Sequence, residues 1–265
     1  MLTTFCLRLA CGMIASLLLF SSTEVNPRFY RTQYLVALGL VCVAAIAAPS
    51  GMGRPIDEAL SMVTIWFTLR TIFVPVAVLC CLGFFSWSID GNPGSRFIGI
   101  ACVAILVMPL LLIAAVSVKQ RQSLDFAVMG MGELASAALL GTAVTAMLLG
   151  HSYLIAPGMS LAPLMRLLTA LFVATGLRMI MAGWGLWSWT ASHSLVNWED
   201  ETVLWLPVRW GLGFGGPLVL GLMARSAAKI RSTQSATGIL YVVVIFTFLG
   251  ELTSQLLLAN TRYVL

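Results

Sequence analysis

Five ionisable side chains stand where the surrounding sequence leaves them no water. Arg70, Glu133, Arg178, Arg209 and Glu251 each lie inside a long apolar stretch. A charge at the centre of a bilayer costs roughly 2.5–3.5 kcal/mol on insertion scales, so such residues face a protein interior, and function is their default explanation. Carboxylates held there can take up and release protons. Arginines beside them keep them charged or hold a polar ligand through directed donors. The chemistry available is therefore proton handling in a medium that excludes water.

Lipid must be that medium. Of 265 residues, 60% are hydrophobic and 9% charged, and mean hydropathy is +0.98. Soluble domains carry about 25% charged residues, and a water-soluble fold this poor in charge could not cover its own surface. The formal charge of +5 comes from 15 scattered Lys and Arg. It reads as the positive-inside bias of a membrane protein and excludes a nucleic-acid surface.

Eight apolar runs can span a bilayer, each near the roughly 20 residues a helix needs. They cover 2–21, 33–49, 61–86, 97–117, 124–150, 164–188, 203–223 and 236–259. Period-two alternation is absent, which excludes a membrane barrel. The expected fold is an all-α polytopic bundle forming a single membrane domain over 1–265. The N-terminal run has one Arg8 and no convincing cleavage site, and reads as an uncleaved first span. Loop charges set the orientation. Seven cations (Arg28, Arg31, Arg96, Arg166, Arg225, Lys229 and Arg231) fall on one side, and Arg54, Lys119, Arg121 and Arg262, with Arg8 as an uncertain fifth, on the other. The bias places both termini outside the cytoplasm and suggests a bacterial inner (cytoplasmic) membrane.

Depth follows from position at about 1.5 Å per residue. All five charges then lie in the outer half of the membrane, roughly 9–15 Å below its outer face. Consecutive antiparallel helices are the expected neighbours, which pairs Glu133 with Arg178 and Arg209 with Glu251. Arg70 is left over. Two readings stand side by side: the pairs are staples that register four helices, or they line a polar pocket open to the outer side, where a carboxylate handles protons.

Other residue types add less. His151 and His193 fall at opposite faces, so they cannot jointly ligate one haem, and no Cys/His cluster has metal-ligand spacing. No intrinsic haem or metal is expected. Trp184, Trp187, Trp189, Trp198 and Trp205 crowd the acidic connection at Glu199–Glu201. They read as an interfacial belt or as a stacking wall for an aromatic ligand, with Trp189 and His193 the candidates for ring contact and proton exchange. The six cysteines read as small apolar residues. The glycines of GLGFGGP (211–217), including the GxxxG pair Gly211 and Gly215, read as helix packing or a break at proline and not as a phosphate loop.

The last run, IFTFLGELTSQLLLANTRYVL, places Glu251 directly after Gly250, with polar and aromatic residues around the pair. This resembles the final helix of the polysulfide/DMSO reductase membrane-anchor superfamily (NrfD/DmsC-like). Eight spans, outward termini, absent haem ligands and outer-half charges are also similar to the DmsC-type anchors. Where those helices often carry an arginine, this chain has Gln255. The resemblance implies a subunit, not autonomous as an oxidoreductase, that exchanges electrons between membrane quinol and an iron–sulfur or cytochrome partner. Glu251 would then be a quinone-site or proton-path residue.

The expected function is a quinone-interacting membrane anchor of a multi-subunit respiratory redox complex. Glu133 and Glu251 would handle protons, and Arg178, Arg209, Arg70, His193 and Trp189 would hold the ligand. Two alternatives are a small-solute or ion transporter with a site at the proline breaks and a non-catalytic scaffold subunit.

Overall fold

Apolar chain in lipid must satisfy its backbone internally, and helices do so within one segment. The computed structural model describes the backbone of residues 1–21, 24–47, 56–89, 95–121, 126–156, 158–192 and 201–261; side chains are described over the same residues except 56–70, 116–121, 192, 201–203 and 260–261. Among the described residues every regular element is helical: α1 (Leu2–Leu17), α2 (Pro27–Ile46), α3 (Ile56–Ser86), α4 (Ser95–Arg121), α5 (Phe126–Ile155), α6 (Ala162–Ser192), α7 (Glu201–Pro207), a π-helical segment (Val208–Gly215), α8 (Gly216–Lys229) and α9 (Thr233–Thr261). Each expected apolar run is matched by a helix or, for 203–223, by the α7–π–α8 series.

Five of the described helices, Pro27–Ile46, Ser95–Ala115, Phe126–Ile155, Ala162–Ala191 and Thr233–Ala259, are long and apolar enough to cross a bilayer. Leu2–Leu17 and Thr71–Ser86 are shorter apolar helices. Large apolar side chains such as Val173, Ile180, Val219 and Ile245 point outward. This surface is consistent with an integral membrane protein.

The bundle is built around α1 and α5. Helix α1 packs on α2, α4 and α5, while α5 also meets α4, α6 and α9. Helices α2, α3 and α4 close one flank, and α6, α8, the π-helical segment and α9 the other. Thirteen of the sixteen residues of α1 are buried. A helix enclosed largely by protein need not match the bilayer thickness, which accounts for its short length.

Two glycines make the central contact. A Cβ on Gly12 would fall onto the Ala137 carbonyl, and one on Gly141 onto the Gly12 backbone. The backbones of α1 and α5 therefore touch, as small residues allow in membrane helices. Around this crossing Leu7, Met13, Ile14, Leu139, Leu140 and Ala143 are fully buried. The same reading applies at 211–217, but with different residues than the GxxxG spacing suggests. A Cβ on Gly211 would meet nothing within 4 Å, whereas one on Gly213 would lie 2.7 Å from the Gly250 Cα.

The connections are capped locally. Asn26 accepts a hydrogen bond from the Arg28 amide ahead of Pro27, a good start for α2. Arg166 at the start of α6 grips both oxygens of Glu24 at 2.7 and 2.9 Å, tying the α1–α2 connection to α6. That bond, with the Ser21 amide, holds the Glu24 carboxyl below its usual range. Tyr30 stacks flat on Trp87 at 3.9 Å between α2 and the end of α3. The six cysteines are free: Cys6, Cys11, Cys80 and Cys102 are buried as small core residues, whereas Cys42 is exposed.

The α1–α5 crossing yields a direct expectation. Gly12→Leu or Gly141→Leu must push two backbones apart, so either should destabilise the protein by at least the roughly 1–3 kcal/mol typical of overpacking. Gly39→Ala, whose Cβ would meet nothing within 4 Å, should be near neutral. Thermal unfolding in detergent micelles separates the three variants.

Candidate functional site: a buried network of three arginines and two carboxylates

Glu133 lies two turns into α5 and Arg8 two turns into α1. The glycine crossing one turn further along brings the two helices close enough for a bidentate pair. Arg8 Nε donates to Glu133 Oε2 at 2.7 Å and Nη2 donates to Oε1 at 2.5 Å. Both side chains are only 4% exposed. The planar guanidinium matches a carboxylate through two parallel donors, the strongest geometry available to such a pair.

Glu251 of α9 is the hub. Its Oε1 lies 3.1 Å from Arg209 Nη2 and 3.3 Å from Arg178 Nε, and its Oε2 is 3.6 Å from Arg8 Nη1. Arg209 and Glu251 are fully buried. Arg178 also donates from Nη2 to Ser254 Oγ at 2.6 Å, one turn beyond Glu251 on α9. Five charges from α1, α5, α6, the π-helical segment and α9 thus form one network. Three guanidinium charges against two carboxylates leave it with a formal net charge of +1.

The π-helical segment explains how Arg209 reaches this point. Pro207 precedes it and Pro217 follows it, and three of its eight residues, VRWGLGFG, are glycine. Proline cannot complete the ordinary i→i−4 ladder, and glycine accepts an altered backbone without steric penalty. Inserted π turns recur at functional sites, where they re-aim a side chain. Here Arg209 is directed inward, with its guanidinium 4.1 Å from the centre of the Phe214 ring, a cation–π contact. Gly250 and Gly213 let the two backbones pass beside it.

Beside the network is a small cavity of about 10 Å³, lined by Arg8, Glu133, Arg178, Ser254 and Gln255, with Met129, Gly132 and Leu258. Its volume suits about one water. Arg8 Nη1, Arg178 Nη1 and both amide atoms of Gln255 are buried without a hydrogen-bond partner. Buried polar groups in native proteins are nearly all satisfied, so these donors and acceptor mark a place for a polar guest.

The expected pair Arg209–Glu251 is present. The other expected pair is corrected: Glu133 binds Arg8, and Arg178 turns to Glu251 and Ser254. Glu133 and Arg178 still share the cavity wall. Arg8, counted above among the flanking charges, is a core residue at 4% exposure. Matched depth contained the signal, because Arg8 and Glu133 stand six and seven residues into their helices, about 9–10 Å from the same end. The preference for consecutive neighbours hid it, since α1 and α5 are four elements apart. Trp189 is buried against Leu257 and does not line the cavity. Trp184 and Trp187 face outward as belt residues do. Arg70 and His193 lie outside the described side chains. Among the described residues no three His, Cys, Asp or Glu side chains gather as a metal site.

The pairing is testable by a double-mutant cycle. Arg8→Met strands the Glu133 carboxylate and should cost about 3–5 kcal/mol. Adding Glu133→Met should recover most of that loss, because apolar replacement of a whole buried pair is near neutral. Arg178→Met with Glu133→Met should show no such recovery. Unfolding free energies in mixed micelles give the coupling.

Comparison of the chain with known family models, with curated proteins and with solved structures found no match to any of them.

Proposed function

We propose that this chain is a quinone-interacting membrane subunit of a multi-subunit redox complex, without haem of its own, in a bacterial inner membrane. In this reading it is a single integral domain that crosses the bilayer eight times with both termini outside. The helix ends that carry Met1, Phe126 and Ser192 lie on the outer side.

The observation that carries the proposal is the set of buried polar atoms without hydrogen-bond partners on Gln255 and Arg178 around a cavity that also holds Glu133. A quinol offers two hydroxyls on an apolar ring, which match donors and acceptors placed in an apolar wall. The cavity has room for about one water, so a ring can place only its oxygen among the charges, with its apolar body against Met129 and Leu258 of the cavity wall. Oxidation of a quinol releases two protons and two electrons. Glu133 and Glu251 accept the protons, and the electrons pass to an iron–sulfur or cytochrome partner. Among the described residues Glu133 is ion-paired with Arg8, whereas Glu251 contacts three cations. The resemblance of the last helix to the polysulfide/DMSO reductase anchors supports the same class.

A small-solute or ion transporter is the second reading. The broken helix carrying Arg209 favours it, since interrupted helices build midplane sites in transporters. A scaffold subunit would treat the network as a staple alone.

Gln255→Leu distinguishes these readings. Removing an unsatisfied buried amide should leave stability unchanged or slightly higher. In the intact complex from native membranes, the quinol KM should rise about tenfold or more, as expected when a hydrogen bond to a buried ligand is lost. Glu133→Gln should lower kcat by about 100-fold or more. Unchanged quinol kinetics in both variants would eliminate the proposal. Solute uptake by the isolated chain in liposomes would favour the transporter.

A further inference from the structure

Away from the charge network, a groove of about 690 Å³ opens on the flank of the bundle between α1, α5 and α6. Its floor is made of small residues, Gly12, Ala15, Ala138, Ala170 and Ala174, and its outer wall includes Val173 and Leu177. The floor is narrow because α1 and α5 meet at Gly12 and leave no bulky side chain there. Arg166 and Leu177 line its two ends, eleven residues apart on α6, or about 16 Å along the helix. Half of a hydrocarbon core of about 30 Å is about 15 Å. The groove therefore has the length of one leaflet.

One end is polar and the other is not. Arg166, half exposed, stands at the mouth with Thr169. Arg225 reaches across from α8, donating to Thr169 Oγ1 at 3.2 Å. The first turn of α6 adds the positive end of a long helix dipole. Glu24, which grips Arg166, is the opposing charge. Two arginines against one carboxylate leave the mouth with a formal charge of +1. A cationic mouth above an apolar trench one leaflet long fits an amphiphile with an anionic head.

We propose that this groove holds one acyl chain of an anionic phospholipid whose phosphate lies between Arg166 and Arg225. The bilayer is the source of the occupant. Glu24 competes with the phosphate for Arg166 and so limits the affinity. The site is separate from the cavity at Gln255, and the inference does not depend on quinone chemistry. Anionic lipid gains roughly 1 kcal/mol for each cation near the surface, which is about fivefold in retention for each arginine.

The test uses the full chain in vesicles of equal phosphatidylglycerol and phosphatidylcholine, extracted in mild detergent, with retained lipid identified by native mass spectrometry. The unaltered protein should keep one phosphatidylglycerol in preference to phosphatidylcholine. Arg166→Gln with Arg225→Gln should abolish the preference while an acyl chain is still retained. Ala170→Phe, which fills the trench, should abolish retention of both lipids. Glu24→Gln should strengthen the preference, a gain that damage to the fold would not produce. Equal retention of the two lipids by the unaltered protein, or undiminished phosphatidylglycerol on the Ala170→Phe variant, would overturn the proposal.

Discussion

A guanidinium removed from water must find a carboxylate, and here three of them share two. Glu251 contacts Arg8, Arg178 and Arg209, while Glu133 takes the remaining donors of Arg8. Desolvation makes each charge costly alone, so the helices that carry them are bound to one arrangement. Helices α1, α5, α6, α9 and the π-helical segment must all converge at one depth. The rest of the bundle follows from that requirement. Gly12 and Gly141 bring α1 onto α5, Gly213 and Gly250 bring the π-helical segment past α9, and the π turn aims Arg209 inward. Apolar packing then fills the space these contacts define.

The network is also unfinished in a useful way. A staple designed only for stability would saturate its donors, yet Arg178 and Gln255 keep polar atoms without hydrogen-bond partners beside Glu133. The formal surplus of one positive charge has the same sense. Such a site offers donors and positive charge to an added acceptor. That property links the packing of the helices to the chemistry proposed for them. The lipid groove lies on the same two central helices but toward the opposite end. The small residues that permit the α1–α5 contact thus also open the surface to the bilayer.

Much of this was legible in the residue order. Charge inside apolar runs located Glu133, Arg178, Arg209 and Glu251, and matched depth on consecutive helices paired Arg209 with Glu251. The helices were visible because a span of lipid demands long apolar runs. The central role of α1 was not visible. A short run with one arginine near the amino terminus looks like a flank, and nothing local says that four elements later a glycine waits for Gly12. The Glu133 partner was missed for that reason: contacts between distant elements are set by tertiary packing. The π-helical segment was legible only as a disturbance, four glycines between two prolines, without the direction in which it would turn Arg209. The burial of Trp189 against Leu257 was not legible either, since belt tryptophans and buried ones share the same surroundings in sequence.

The central claim is that a quinol approaches the charge network at the Gln255 cavity. A photoreactive quinone analogue, crosslinked to the intact complex in native membranes and mapped by peptide mass spectrometry, tests it most directly. Labelling should concentrate on Met129, Gly132 and Leu258, the apolar part of the cavity wall, and should be suppressed by excess unlabelled quinol. Labelling on Ala170 and Val173 in the α6 groove, or labelling that excess quinol does not suppress, would contradict it.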